Sequence, residues 1–185
     1  VKMWIATLDF KKAFDTVEHD SMWKALSSQG VPRAYVRVLS EMYCHQTAQV
    51  RTDQLSRSFA IQRGAEHVDP LSSLLFNALL EDAFRDVKIR WTQKKLGLRI
   101  GAGDLTNLRF ADDVMLTAKT LPQFQKMLTD VITETGKRGL ELHPDKTKIL
   151  SNTVRRTGRS TAKSVDVNGL RIEVLPFDGA VKYLG

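Results

Sequence analysis

Apolar and polar positions change period several times along the chain, and each change marks an element. Met3 to Leu8 is a short apolar run ending at Asp9, which predicts a buried strand with a carboxylate at its end. After "KKAFDTVEH", Asp20 or Ser21 can cap a short helix that Gly30 closes, and Pro32 at a first-turn position starts a second helix through about Tyr43. Gln46 to Thr52 and Ser58 to Gln62 read as a hairpin. "PLSSLLFNALLEDAFRDVKIRW" is the longest segment of helical period, running from Pro70 through about Asp86 or beyond with its apolar stripe toward a core. Gly97 to Ile100 then predicts a strand, Leu121 to Arg138 a helix closed by Gly139, and Lys146 to Ser151 another strand. "NTVRRTGRSTAKS", residues 152–164, breaks the pattern and reads as a basic exposed loop. Asn168-Gly169 within Val165 to Leu175 is a strong hairpin signal.

In "LRFADDVMLTA", Leu108 to Ala118, two adjacent acids interrupt the apolar run. Neighbouring side chains on a continuous strand point to opposite faces, so Asp112 or Asp113 would enter a core. Two carboxylates a few ångströms apart also repel by about 1 to 4 kcal/mol at water-like to surface-like dielectric. Two antiparallel strands, Leu108 to Ala111 and Val114 to Ala118, instead place both acids at a hairpin tip. That tip lacks the glycine or asparagine that two-residue hairpins prefer, which leaves two readings: acids kept for a cation, or a solvated acidic turn.

With the inserted helices and first hairpin set aside, the order is strand to Asp9, helix from Pro70, Asp-Asp hairpin, helix from Leu121, strand from Lys146. This is the βαββαβ, ferredoxin-like order of an α+β fold with an antiparallel sheet. It can lay the strand from Met3 beside the hairpin and bring Asp9 to the same edge as Asp112 and Asp113. Converging carboxylates raise one another's pKa unless cations neutralise them, and hard oxygen ligands suit Mg²⁺ or Mn²⁺. Two such ions serve in-line phosphoryl transfer, so nucleotide addition fits the layout.

Composition narrows the partners. The 185 residues suit one domain, and 42% hydrophobic content is enough for a sizeable core. A net charge of +7 favours an anionic partner such as nucleic acid or anionic lipid. The lone Cys44 excludes an internal disulfide, and a reducing compartment, nuclear or cytoplasmic, is the default. No apolar run reaches the roughly 20 residues of a spanning helix, so no membrane role is expected. The chain begins directly in a strand and stops at "VKYLG", as a piece of something longer would.

Several ordered motifs resemble the palm of a non-LTR (LINE-type) retrotransposon reverse transcriptase, and the resemblance covers nearly all of residues 1–185. "LDFKKAFDTVEH" is similar to the first catalytic motif, "RFADDVML" to the "F/Y-A-D-D" motif, "GLELHPDKTKIL" to the following lysine motif and "VKYLG" to the primer grip. The resemblance implies an RNA-directed DNA polymerase acting on an RNA template, a DNA primer and dNTPs, with upstream fingers and a downstream thumb outside the chain. It makes Asp9 and Asp112 the principal ligands of two Mg²⁺ or Mn²⁺ ions, Asp113 a third carboxylate, and the backbone carbonyl of Phe10 a further ligand. Phe14 matches the steric gate that excludes a ribose 2′-hydroxyl, with a core phenylalanine as the alternative. Lys146 matches the motif lysine that protonates or screens the leaving pyrophosphate, with Lys148 in competition if the register differs by two. Asp15 and His19 match as local hydrogen-bonding or capping groups. Tyr183, Leu184 and Gly185 would grip the primer, and the loop from Arg155 to Lys163 is either a phosphate contact or a solvated linker.

One stretch departs from the pattern. The family carries "RGVRQGDPLSPLLFN" where this chain has "RGAEHVDPLSSLLFN". Asp69 and Pro70 match, with His67 beside them at the position that places template and nucleotide, but Glu66, His67 and Val68 replace Arg, Gln and Gly. Glu66 inverts a charge, and Val68 puts a β-branched side chain where glycine permits unusual backbone angles. Impaired polymerase activity, as in a decayed element copy, is one expectation. A non-enzymatic nucleic-acid-binding module is the reading from another class, although it leaves the three acids without a purpose.

Overall fold

The computed structural model describes residues 2–65, 69–153, 163–175 and 179–181. In chain order the elements are β1 (Trp4–Leu8), α1 (Ala13–Thr16), α2 (His19–Ser28), α3 (Arg33–Cys44), β2 (Thr47–Ala48), β3 (Phe59–Ala60), α4 (Pro70–Gln93), β4 (Leu98–Ile100), β5 (Gly103–Leu105), β6 (Asn107–Phe110), β7 (Asp113–Ala118), α5 (Leu121–Gly136), β8 (Lys148–Ser151), β9 (Lys163–Val167) and β10 (Leu170–Leu175). They form two compact units, one of residues 1–11 with 83–185 and the other of residues 12–82.

The first unit is built on a six-stranded sheet in the order β6-β7-β1-β8-β10-β9. Strands β6, β7, β1 and β8 are antiparallel neighbours, as the βαββαβ reading requires, with β10 parallel to β8 and the β9–β10 hairpin at the edge. Asn168 and Gly169 both have positive φ (52° and 78°), the pairing a type I′ turn demands and the reason Asn-Gly signals one. Alternation along the strands separates two faces. Trp4, Ala6 and Leu8 of β1 are buried with Val114, Leu116 and Ala118 of β7, whereas Ile5, Thr7 and Met115 are half-buried on the opposite face.

The buried face is covered by α5 and the second half of α4. Trp4 meets Phe124 of α5 at 6.2 Å between ring centres, and the Trp91 indole donates to Asp130 at 2.9 Å, tying the two helices. Arg109 points to the same face, its guanidinium 4.8 Å from the ring centre of Phe84. Trp91, Phe84, Phe124, Met127 and Leu128 are all fully buried, each stabilising the fold by about 1.5–3 kcal/mol. The other face of β1, β7 and β8 is partly exposed at Ile5, Thr7, Met115, Lys148 and Leu150, with Thr117 buried.

The second unit holds α1 to α3, the short β2–β3 hairpin and α4 up to Asp82. Asp69 caps α4: its carboxylate accepts from the Leu71 N–H at 3.0 Å, with Pro70 at the first helical position. Gly64 has φ +95°, and a Cβ there would stand 2.9 Å from the Asp15 carbonyl oxygen. Its N–H donates to Val17, and its carbonyl meets the His19 ring at 2.8 Å, which makes His19 the local hydrogen-bonding group the sequence suggests.

Several boundaries differ from the sequence reading. The tip of the acidic hairpin is Ala111-Asp112, and Asp113 is the first residue of β7, opposite Phe110. Ala111 takes the positive φ (51°), so the two-residue turn closes one position earlier than a tip holding both acids. A further strand, β5, pairs with β4 over "GDL", too polar to be read as a strand. Helix α2 starts at His19 with Glu18 at the cap and no side-chain cap bond, so neither Asp20 nor Ser21 serves. Helix α5 ends at Gly136, β8 begins at Lys148, and Lys163 and Ser164 belong to β9. Residues 154–162 of the basic loop lie outside the described residues, as do Glu66, His67, Val68, Tyr183, Leu184 and Gly185.

Candidate active site

Strand register gathers the acids. The last ladder pair between β1 and β7 is Leu8↔Val114, and one step further sets Asp9 opposite Asp113, on the partly exposed face because Leu8 and Val114 point to the buried one. The same face carries Phe110 opposite Asp113, with 69% of its surface exposed. Asp112 sits exposed at the turn beside them. Three carboxylates therefore lie at one end of β1 and β7, near enough for Asp112 and Asp9 to act on Asp113, which reaches this end from a strand.

The crowding has an electrostatic signature. Partial burial, then the charges of Asp112 and Asp9, raise the Asp113 carboxyl above its ordinary 3.8. Ala111 holds the turn in a left-handed conformation that costs a non-glycine residue about 1–2 kcal/mol. Like charges and local strain are both unfavourable here, and a hard cation among the carboxylates would relieve the first.

Lys146 joins the group from the other side. The β1–β8 ladder ends at Thr7↔Lys148, and Lys146 lies in the turn just before β8, from which its Nζ comes within 3.9 Å of the Asp9 Oδ1. Lys148 turns elsewhere, to Glu173 at 2.6 Å. Of the two competing lysines, Lys146 is the one beside the acids. It remains 64% exposed, so the contact is loose.

The backbone around Asp9 is held on both sides. Its N–H donates to the Thr147 hydroxyl at 3.2 Å, and its carbonyl accepts from the His143 N–H at 2.8 Å. Phe10 is buried and bridges to Leu142. Thr147, fully buried, stands between the two lysines of "DKTKIL" and carries no sequence signal beyond its place in the motif.

Other candidates fall in the second unit. Phe14 is buried and stacks on Phe76 with ring centres 4.8 Å apart, the packing of a core phenylalanine. Asp69 and Pro70 build the start of α4 as described. Donor atoms of Glu41, Cys44 and His45 lie within 4.8 Å of one another on the exposed end of α3, as neighbours one helical turn apart do. Among the described residues, no helix is long and apolar enough to cross a membrane.

Comparison with known proteins agrees with this geometry. The sequence profile of the family Reverse transcriptase (RNA-dependent DNA polymerase) matches residues 2–185. The chain is 32% identical to the Retrovirus-related Pol polyprotein from type-1 retrotransposable element R2 of Nasonia vitripennis, over 99% of this chain and 18% of that protein. It is 31% identical to the corresponding polyprotein of type-2 retrotransposable element R2DM of Drosophila melanogaster, over 77% of this chain and 13% of that one. The chain thus spans less than a fifth of the length of these curated relatives. Its fold matches apo telomerase from Candida tropicalis, truncated from its C-terminal domain, with a TM-score of 0.63 at 17% identity, over 96% of this chain and 35% of that one. The palm order of the sheet, the acids at its edge and the profile match over residues 2–185 agree: the chain belongs to the reverse transcriptase family, in its non-LTR retrotransposon branch.

Proposed function

We propose that the chain is the catalytic palm of an RNA-directed DNA polymerase, which adds dNTPs to the 3′-hydroxyl of a DNA primer along an RNA template. The observation that supports this reading is the nearness of Asp9, Asp112 and Asp113 at one end of β1 and β7, with Lys146 beside Asp9. The family generally uses divalent metal ions. The donor set fits them: hard oxygen ligands whose mutual repulsion a cation would remove. In this reading Asp9 and Asp112 hold two Mg²⁺ or Mn²⁺ ions with the Phe10 carbonyl, and Asp113 adds a third carboxylate. Ions bound there supply charge neutralisation and Lewis acidity at the attacking and leaving oxygens.

This chain's residues then orient the reaction. The primer 3′-oxygen forms a bond to the α-phosphorus as the bond to the β-phosphate oxygen breaks in line, and the hydroxyl proton passes to solvent. Lys146 gives a proton to the departing pyrophosphate or screens its charge. By resemblance Phe14 would be the gate against a 2′-hydroxyl, although its ring is buried against Phe76 as a core residue. By the same resemblance Asp69 and Pro70, at the start of α4, and His67 would serve template and nucleotide, and Tyr183, Leu184 and Gly185 the primer end. The net charge of +7 favours the nucleic acid, and telomerase from Candida tropicalis, a fold neighbour, is itself solved with a fragment of telomeric RNA.

The departure at Glu66, His67 and Val68 favours a second reading, a decayed copy that keeps the fold and binds nucleic acid without extending it. Primer extension on an RNA template by the full-length protein, with Mg²⁺ or Mn²⁺ and beside its Asp112→Asn variant, separates the two. Extension lost only in the variant supports the polymerase. A folded protein that binds the duplex and never extends it supports the decayed copy.

A further inference from the structure

The strand pair that carries Asp9 is interrupted in an unusual way. Between the pairs Thr7↔Lys148 and Phe10↔Leu142, β1 advances three residues while its partner advances six, so three residues are looped out of the partner chain. Lys146 lies within this excursion, and its ammonium returns to Asp9 at 3.9 Å. The loop removes the backbone carbonyl that a regular ladder would offer to the Asp9 N–H. The Thr147 hydroxyl accepts that hydrogen instead, at 3.2 Å, while the Thr147 N–H donates to the His143 carbonyl at 2.9 Å and the His143 N–H to the Asp9 carbonyl at 2.8 Å. Both backbone groups of Asp9 are thereby tied to the two ends of the loop that presents Lys146.

We infer that Thr147 is a positioning residue: its buried hydroxyl substitutes for a missing ladder acceptor and holds the Asp9 backbone, and with it the Asp9 carboxylate, in place beside Asp113 for a divalent cation. The assignment rests on the proposed reading of the acids as a cation site. Thr147 is fully buried, so its hydroxyl is held in place as the acceptor of the Asp9 amide. Its effect passes through Asp9. Because Lys146 hangs on the same loop, loosening the clamp changes two charged groups together, the carboxylate and the ammonium facing it.

The test is Mn²⁺ binding to the full-length protein, read from the loss of the free-ion electron paramagnetic resonance signal, alongside primer extension as a function of Mn²⁺. Thr147→Val keeps the shape and removes the acceptor. It is expected to weaken Mn²⁺ binding about tenfold or more and to raise the Mn²⁺ concentration for half-maximal extension in step, while Thr147→Ser stays within about threefold of wild type. A simple loss of folded protein would lower the amplitude of both signals without moving either midpoint. Should Thr147→Val not fold, Thr147→Cys against Thr147→Ser makes the same comparison, since a thiol is the weaker acceptor. Equal Mn²⁺ midpoints in wild type, the acceptor-poor variant and Thr147→Ser overturn the role of Thr147 and leave the cation site standing. A wild type in which Asp9→Asn does not change Mn²⁺ binding overturns both.

Discussion

Asp113 and Glu134 are half-buried carboxylates of the same unit, and their surroundings act in opposite directions. Burial would raise both. At Glu134 the hydrogen bond from Lys137 at 2.9 Å, the charge of Lys137 and then Arg138 at 3.5 Å outweigh it and hold the carboxyl below its usual range, with Arg90 at 3.9 Å. At Asp113 the neighbours are Asp112 and Asp9, which add to the effect of burial and hold the carboxyl above it. An acid that serves the fold comes with its cations supplied by the chain. The acids at the sheet edge come with each other and with the loosely held Lys146, and their arrangement makes sense with a cation from outside.

The contrast breaks most sharply through activity. In an active full-length protein, Asp9→Asn should lower primer extension by about a thousandfold or more, whereas Glu134→Gln should leave it within about twofold. A comparable loss in both would remove the distinction. If the departure at residues 66–68 has impaired the enzyme, reverting Glu66→Arg, His67→Gln and Val68→Gly together should raise extension by about tenfold or more. No gain from reversion, with an unmodified protein that extends primers normally, would show that the three residues are tolerated.

Thermal unfolding sharpens the same comparison on a smaller scale. Adding Mn²⁺ at a hundred times its dissociation constant should stabilise the wild type by about 2.7 kcal/mol, and chelation should reverse the gain, with a much smaller response in Asp113→Asn. The pH response follows from the direction of each shift. The raised carboxyl of Asp113 means that the folded chain takes up this proton more readily than the unfolded one. Without metal, its contribution is therefore unfavourable above the folded pKa and is relieved as pH falls through that value toward 3.8. Glu134 behaves in reverse: its stabilisation is present above 4.5 and is lost as pH falls through the lower folded value. Metal-free Asp113→Asn should be slightly more stable than wild type at neutral pH. Glu134→Gln should be less stable by about 0.5 kcal/mol, since its pairs lie near the surface. Melts of the two variants at pH 7 and in mild acid check both signs.

Most of the palm was legible because its signals are local. The apolar run at β1, the Asn168-Gly169 turn, and the capped, periodic helices from Pro70 and Leu121 each carry their own evidence. The βαββαβ order then fixed which strands could neighbour one another, and with that the meeting of Asp9 with the two adjacent acids. What escaped depended on partners far along the chain. The hairpin tip shifted by one residue because Ala111 accepts a left-handed conformation that composition gave no reason to expect. Strand β5 exists through its pairing with β4 and lacks an apolar pattern of its own. The choice between Lys146 and Lys148 turned on register and on Glu173, 25 residues downstream of Lys148. Thr147 carries no signal of its own, since nothing in "DKTK" reveals a hydroxyl facing the Asp9 amide.

The most direct measurement of the central claim is Mn²⁺ binding to the wild type, Asp113→Asn and Glu134→Gln by electron paramagnetic resonance. The crowded acids predict binding in the wild type that weakens by about tenfold or more in Asp113→Asn and is unchanged in Glu134→Gln. Equal binding in Asp113→Asn and the wild type would contradict it, and would make the acidic edge a solvated turn.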